Sequence, residues 1–585
     1  MDMRSWSFAG NLPESPADRP GGAVASELPI HVLRSFTVEG IEQPLKHHLA
    51  VLGLSPRLTF GGYGTMMQEA LTGGLWNGDA PPQIVLAALT LQEIDPEYGK
   101  PGWKAEVARR ECEALFDALR SATRANILVN TFLPPLHPDQ ELWLARDGSD
   151  VRSQVAELNR FVVEYVRRHA PQFALADFGH YLARLGAEAA IEERGRYLWR
   201  APFKAPFLDL YARDVARVAR VLKGAAKKCL VLDCDNTLWG GIVGEDGPLG
   251  IKLDRHEYPG KAYYDFQSGI MRLADRGVLV ALCSKNNETD VLEVLNTHPA
   301  CQLNSAMLSS MKLNWQDKAA NIRSIAEDLN VGLDSLVFVD DNPAECEAVR
   351  AMLPEVTVLQ APAQAHELPG LLFRDGLFDS GGVTQEDRGR AGSYKSDRQR
   401  RALCGSFATV EEYLASLNMV ATIHEAKPSE MPRVAQLMQR TNQFNLTTRR
   451  HSEQHIKALC GRQDAAVFVV CLRDRFGDLG LVGVMIAERE GATAQIDSLL
   501  LSCRALGRCL ERAFAAHVLK TLTANWNVAA WMAEFVPTAK NAQARGFWID
   551  MGFDEACRNE QHILYLRKAS CAELPTPSFI AISES

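Results

Sequence analysis

The sequence predicts a multidomain α/β protein. Three observations predict it: 585 residues, an ordinary globular composition, and short apolar runs alternating with helical stretches. A chain of this length exceeds a single hydrophobic core, so three or four domains are expected. At 46% hydrophobic and 23% charged residues, its make-up is that of a globular protein. The formal net charge is −9 without any long basic stripe, which argues against a general nucleic-acid binder. No apolar run approaches the roughly 20 residues of a membrane span. Thirteen cysteines are scattered without a Cys-x-x-Cys pair, and no signal peptide is recognisable. Reduced thiols in the cytoplasm are therefore expected rather than a disulfide framework.

Taken in order, residues 1–27 are rich in Pro, Gly, Ser and charge and read as a disordered leader. Residues 28–225 alternate strands such as Ile84–Leu89 and Asn126–Phe132 with helices such as Lys104–Ser121 and Asp150–His169, the pattern of an α/β layer domain. A second domain covers 226–370, and a polar, Arg-rich stretch makes 371–419 a helical connector. Residues 420–567 switch to antiparallel-looking strands mixed with helices, for example Leu481–Ala487. Residues 568–585, with Pro575 and Pro577, read as a flexible tail.

The second domain carries the chemistry. Three apolar runs, Cys229–Leu232, Val278–Cys283 and Leu336–Val339, suit parallel strands covered on both faces. The first runs into Asp233-Cys234-Asp235-Asn236-Thr237, the second into Ser284, the third into Asp340-Asp341. Ligands of open α/β sheets bind at such carboxyl ends. Asp233 and Asp235, two apart, would share a face of an ideal strand, with Cys234 turned into the core. One carboxylate beside a divalent metal can attack phosphorus. A second can protonate the leaving oxygen and later activate water. Carboxylates this close repel and call for a cation, and hard oxygen ligands suit Mg²⁺. Asn314 to Ile322 looks like a helix start capped by Asn314, with Asp317 at a capping-box position and Lys318 in the first turn. Lys318 is either a solvated lysine or a cation that steadies phosphoryl oxygens.

In this order, Asp233-x-Asp235-x-Thr237, Ser284, Lys318 and Asp340-Asp341 resemble the four motifs of the haloacid dehalogenase (HAD) superfamily. More narrowly, the chain resembles FkbH-like proteins. The resemblance rests on Leu232–Gly241, Gly244–Gly247, Ser284–Asn286, Asn314-Trp315-x-x-Lys318-Ala319, Phe338–Pro343, Thr441–Arg450 and Asp474–Asp478. It implies an SGNH-like α/β domain, a HAD Rossmann-like parallel sheet with minimal cap, and a GNAT-like α+β domain. It further implies Asp233 as phosphoryl nucleophile and Asp235 as acid/base, with Thr237, Ser284 and Lys318 on the phosphate. The metal would be held by Asp233, by Asp235 through its carbonyl, and by Asp340 and Asp341.

The flanking domains read differently. The first has no Gly-Asp-Ser block and no Gly-x-Ser-x-Gly elbow, so a docking or scaffold role is expected. His180, three residues after Asp177, finds no paired serine and reads as structural. In the last domain, Ile496–Leu501 reads as a strand, and Ser502–Glu511 opens a helix. By resemblance, Arg504-x-x-Gly507-x-Cys509 is the GNAT pyrophosphate turn with a cysteine where a small residue is usual; Arg504, Gly507 and Arg508 would hold pantetheine. Trp548 stands where many GNAT enzymes have tyrosine, and an indole only donates. The phosphopantetheine of an acyl carrier protein therefore fits the splayed groove better than an acetyl-CoA N-acetylation. Cys503 at the strand-to-helix junction is a thiol for carrying the acyl group, with Cys234 ranked second and an inert core cysteine as the alternative. Arg449 and Arg450 would meet a phosphate or an acidic carrier, or else form a solvated basic loop. Asn442, Gln443 and Asn445 would orient hydroxyls or a carbonyl.

FkbH-like proteins take 1,3-bisphosphoglycerate, remove phosphate and place the glyceryl unit on an acyl carrier protein for polyketide-type biosynthesis. The resemblance implies the same here. The alternatives are a HAD phosphatase of a small phosphate ester fused to an N-acyltransferase, and a non-catalytic scaffold that docks carrier proteins.

Overall fold

The computed structural model describes residues 26–584 apart from 73–75, 77–79, 138–147, 381–406, 408, 503–504, 539–540, 560–561, 571–573 and 575. Residues 1–25 of the expected leader, the Arg-rich part of the connector, Cys503 and Arg504 lie outside the described residues, while Ser26 and Glu27, counted with the leader, open the first strand. The chain divides after Arg220 into two compact units.

The first unit is built on a five-stranded sheet. Strands β1 (Ser26–Arg34), β2 (Leu54–Tyr63), β3 (Ile84–Ala88), β4 (Asn126–Asn130) and β5 (Phe173–Ala176) lie in the order β2-β1-β3-β4-β5. Every pair is parallel. The sequence-expected helices appear as Glu106–Ala122 and Val151–Arg168, the latter capped by Asp150. Their apolar stripes pack on one face of the sheet through Phe116, Leu119, Leu158 and Val162.

The second unit holds two sheets. The central one comprises β6 (Cys229–Leu232), β7 (Leu279–Ser284), β8 (Ser310–Leu313), β9 (Leu336–Asp340) and β10 (Thr357–Gln360), ordered β10-β9-β6-β7-β8 and wholly parallel. Side chains alternate faces strictly. Cys229, Val231, Ala281 and Phe338 pack on one side. Leu230, Leu232, Leu282 and Val339 pack on the other. Two covered faces explain the unbroken apolar runs. This core reaches past residue 370, because Leu372, Leu377 and Phe378 belong to it and Lys227 N donates to Leu377 O at 2.8 Å.

The last sheet is mixed. It is formed by β11 (Met419–Glu425), β12 (Phe444–Asn445), β13 (Ala465–Asp474), β14 (Gly477–Glu490), β15 (Thr493–Leu501), β16 (Ala530–Phe535), β17 (Asp554–Arg558), β18 (Ile563–Lys568) and β19 (Ile580–Glu584). Strands β15 and β16 run parallel only from Thr493/Ala530 to Ile496/Ala533 and then part. Past that point β12 pairs with β15 at Leu500 and Leu501, and Val536 N donates to Leu446 O at 2.8 Å. The tail corrects the sequence expectation: β19 pairs in parallel with β11 from Met419/Ile580 onwards, so these residues form an edge strand and not a loose end. Among the described residues, no helix is long and apolar enough to cross a membrane. The described cysteines are free thiols.

Candidate active site

Register assembles the central site. Leu232 pairs with Val339 on one side and with Leu282 on the other. The next residues, Asp233 and Asp340, therefore emerge side by side, and Ser284 follows two places after Leu282. The chain order reverses across β6, between β9 and β7, which makes this the switch point of the sheet. Strand β6 stops at Leu232, and Cys234–Leu238 is a turn, with Leu238 N on Cys234 O at 2.8 Å and Asn236 at φ 52°. The expected strand geometry for Asp235 is thus replaced by a turn, while Cys234 packs in the core as anticipated.

Lys318 joins the carboxylates. Its Nζ donates to Asp233 Oδ1 at 2.7 Å and to Asp340 Oδ2 at 2.5 Å, and all three residues are buried. The solvated-lysine reading is excluded. Its helix, Lys318–Asp328, is capped by Asp317, whose carboxylate accepts from Ala320 N at 2.9 Å. Asn314 is not the cap; its side chain accepts instead from Gln316 N and Asn321 Nδ2, each at 2.9 Å. Capping from Asp317 makes Lys318 the first helical residue, at the buried mouth of the sheet.

The electrostatics follow from burial. Burial opposes a charged Lys318, but the Asp233 and Asp340 carboxylates outweigh it and hold the ammonium well above its usual range. Burial pushes Asp233 up to about 7, against the pull of Lys318 and with a push from Asp340. Burial and Asp340 likewise raise half-buried Asp341. Carboxylate oxygens of Asp233, Asp340 and Asp341 lie within 4.8 Å of one another. Three hard oxygen donors so close, only partly neutralised by one ammonium, fit a divalent cation such as Mg²⁺.

The carboxylate of Asp235 is not part of that triad. Its Oδ1 accepts from Trp239 Nε1 at 2.9 Å and Val243 N at 3.1 Å, and its Oδ2 from Asn286 Nδ2 at 3.0 Å. Three hydrogen bonds hold this carboxylate in place, away from the Asp233–Asp340–Asp341 cluster. Asn286 Nδ2 also donates to Ser284 Oγ at 3.0 Å, tying the carboxylate of one strand end to the hydroxyl of the next. Sequence reasoning assigned no role to Asn286 or Trp239. The signal was a buried amide two residues beyond Ser284, inside a motif already recognised. Thr237 Oγ1 is buried and makes no hydrogen bond, so it retains a donor for an anionic oxygen.

The C-terminal residues are placed otherwise than expected. The expectations for Cys503 and Arg504 fall outside the described residues; the following α-helix spans Leu510–Trp526. Cys509 precedes it at φ 59°, the left-handed conformation in which glycine is at ease. Gly507 also sits at positive φ, 74°. Arg508 is buried against Asp474 at 3.4 Å rather than open to pantetheine. Strand β12 pairs with the end of β15 at Leu500 and Leu501.

Nor is Thr441–Arg450 a solvated basic loop. Arg450 is turned inward onto the carbonyls of Met438 and Thr441 and onto Asn442 Oδ1, and burial lowers it to about 10. Arg449 spans Asp497 and Glu534. Asn442 Nδ2 donates to Gly224 O at 3.2 Å. Asn445 is fully buried, with Oδ1 on Thr448 N at 2.9 Å and Nδ2 on Thr441 O at 3.3 Å. Gln443 Oε1 is buried without a hydrogen bond. Trp548 is buried, and its indole N–H donates to Glu534 O at 3.3 Å.

In the first unit a serine does stand at a strand end. Ser35 follows β1 but is buried, its Oγ held by Thr90 N at 2.7 Å and Thr90 Oγ1 at 2.9 Å. His180 is exposed, and Asp177 caps its helix, Oδ1 accepting from His180 N at 3.2 Å.

With this geometry in place, the chain is similar to a solved fragment from Bacteroides fragilis, the N-terminal part of protein BF1531, which contains a phosphatase domain and was crystallised with Mg. The TM-score is 0.54 at 23% identity, covering 61% of this chain and 95% of that one. The likeness is one of α/β fold. A smaller part, 26% of this chain, is similar to 96% of the ribosomal-protein-S18-alanine N-acetyltransferase of Escherichia coli, at 20% identity and a TM-score of 0.22. Arabidopsis thaliana NAA60, solved with a bisubstrate analogue, matches at 16% identity over 25% of this chain and 97% of its own, with a TM-score of 0.21. No family model and no curated protein matches the chain.

Proposed function

We propose that this chain is a bifunctional enzyme, a Mg²⁺-dependent HAD-type phosphatase coupled to a GNAT-like acyltransferase of the FkbH-like kind. It takes 1,3-bisphosphoglycerate and loads the glyceryl unit onto the phosphopantetheine thiol of an acyl carrier protein. One observation carries the reading: Lys318 lies between Asp233 and Asp340, with Asp341 in the same carboxylate cluster.

In this reading Asp233 is the nucleophile toward the ester phosphate, and Lys318 holds it in place and neutralises phosphoryl oxygens. Ser284 and the spare hydroxyl of Thr237 donate to the phosphoryl group. Asn286 fixes Asp235, which delivers a proton to the leaving oxygen and later takes one from water. Asp233, Asp340, Asp341 and the Asp235 carbonyl would hold the metal. A bound divalent cation supplies charge neutralisation for the carboxylates and the phosphoryl oxygens. The acyl phosphate of the substrate is an activated carbonyl, so thioester formation needs no further energy source.

The test is intact-protein mass spectrometry of a carrier protein incubated with this protein, Mg²⁺ and 1,3-bisphosphoglycerate. Glyceryl-carrier and released phosphate are expected. An unmodified carrier, under conditions where a control loading of the same carrier succeeds, overturns the proposal. Acetyl transfer to an amine without carrier points to the fused N-acyltransferase instead.

A further inference from the structure

Beyond the parting of β15 and β16 lies a polar cluster that the phosphatase chemistry does not use. The first residues past the split are Asp497 and Glu534. Asp497 is skipped by the pairing of β14 with β15, which jumps from Ile486/Ser498 to Ala487/Ile496. Such a bulge re-aims a side chain and frees its carbonyl from the ladder. That carbonyl accepts from Thr447 Oγ1 and Arg449 Nη1, both at 2.9 Å. Arg449 then bridges the split, with Nη1 on Asp497 Oδ1 at 2.8 Å and Nη2 on Glu534 Oε2 at 2.7 Å. On the second oxygen of Asp497 sit His451 Nε2 at 2.6 Å and Ser498 Oγ at 2.8 Å. The turn that delivers Arg449 and His451 passes through Thr448 at φ 54°, a strained backbone for a β-branched residue.

We propose that His451, oriented by Asp497, is the general base of acyl transfer in the C-terminal domain, acting on a thiol acceptor. A carboxylate on Nε2 requires the proton there and leaves the lone pair on Nδ1. The imidazole side chain keeps 16% of its surface exposed. The acceptor S–H gives its proton to Nδ1. The sulfur pair forms the C–S bond to the acyl carbonyl. The C–O bond to the phosphate then breaks, and its electron pair leaves with the phosphate. The imidazolium finally releases its proton to solvent. Asp497 acts through the ring and is a positioning residue, and Arg449 pins it to Glu534 across the split. The inference rests on the acyl-transfer reading above and supplies a base that Trp548, whose indole N–H only donates, does not provide.

The test compares the full chain with its His451→Gln and Asp497→Asn variants, using 1,3-bisphosphoglycerate and holo-carrier protein. Cooperative thermal unfolding and phosphate release from a generic ester report that each variant is folded. His451→Gln should slow carrier loading by about 100-fold or more, within the usual range for a general base. The wild-type rate should rise along a single-proton limb of its pH profile; Asp497→Asn should move that limb, and His451→Gln should abolish it. Asp497 and His455, which face the ring, and Arg449 and Ser498, which hold Asp497, are all retained in His451→Gln, so a persisting limb assigns the proton to one of them and overturns the proposal. Full-rate loading by a folded His451→Gln overturns it as well. If the wild type itself loads no carrier, the parent reading has failed and this base falls with it, an outcome distinct from the other two.

Discussion

At the carboxyl ends of the N-terminal sheet, Ser35 bonds Thr90, Asn130 bonds the backbone of Leu89, and Thr131 bonds Asp177 at 3.1 Å. At the same ends of the central sheet, Asp233, Asp340 and Asp341 crowd together with one ammonium on the first two, and Thr237 keeps an unused hydroxyl. Both sheets are five-stranded and parallel. The first closes its polar groups on one another and its own backbone. The second leaves like charges together that a single lysine cannot fully neutralise. The fold supplies the crevice in both cases; uncompensated charge at the crevice distinguishes a reaction site from a structural one.

The largest effect that would test this contrast is Asp233→Asn. Phosphate release should fall by at least about 10³-fold, as for other nucleophile deletions, with a native circular dichroism spectrum. Retained turnover would remove Asp233 from the chemistry. Next, Lys318→Met should abolish phosphate release and lower stability by about 3–5 kcal/mol, because two buried carboxylates lose their partner. Added Mg²⁺ should recover part of that loss in a urea titration, since it binds only the folded cluster. Asn286→Ala should cost about 10–100-fold in turnover, the usual effect of losing a supporting partner, with little change in unfolding midpoint. Smallest is Ser35→Ala. Thr90 N loses its acceptor, so about 1–3 kcal/mol of stability should go while phosphate release is unchanged. A loss of turnover in Ser35→Ala would erase the distinction between the two sheets.

Much of the central site was legible because parallel strands at fixed register turn sequence order into spatial adjacency. Asp233 and Asp340 each follow the last residue of a paired apolar run, so their meeting needs no other information. Capping was less legible. Asn314 and Asp317 are both good cap residues, and only the tertiary path shows that the helix starts after the second. The C-terminal block was least legible, since an arginine in a polar segment reads the same whether solvated or folded inward. Arg449 and Arg450 find their partners across long sequence separations or on backbone carbonyls, which residue type does not reveal. The edge strand was missed because the prolines before it suggested looseness, although the apolar residues Ile580 and Ile582 alternate with smaller neighbours as a strand would.

That edge strand bears on handling the protein. By lying in parallel along β11 from Ile580, it shields one rim of the last sheet from strand addition by another molecule. Trimming the chain before Phe579, or fusing a bulky tag tightly to its carboxyl end, would bare the β11 rim and invite self-association. A tag at the amino end avoids that hazard.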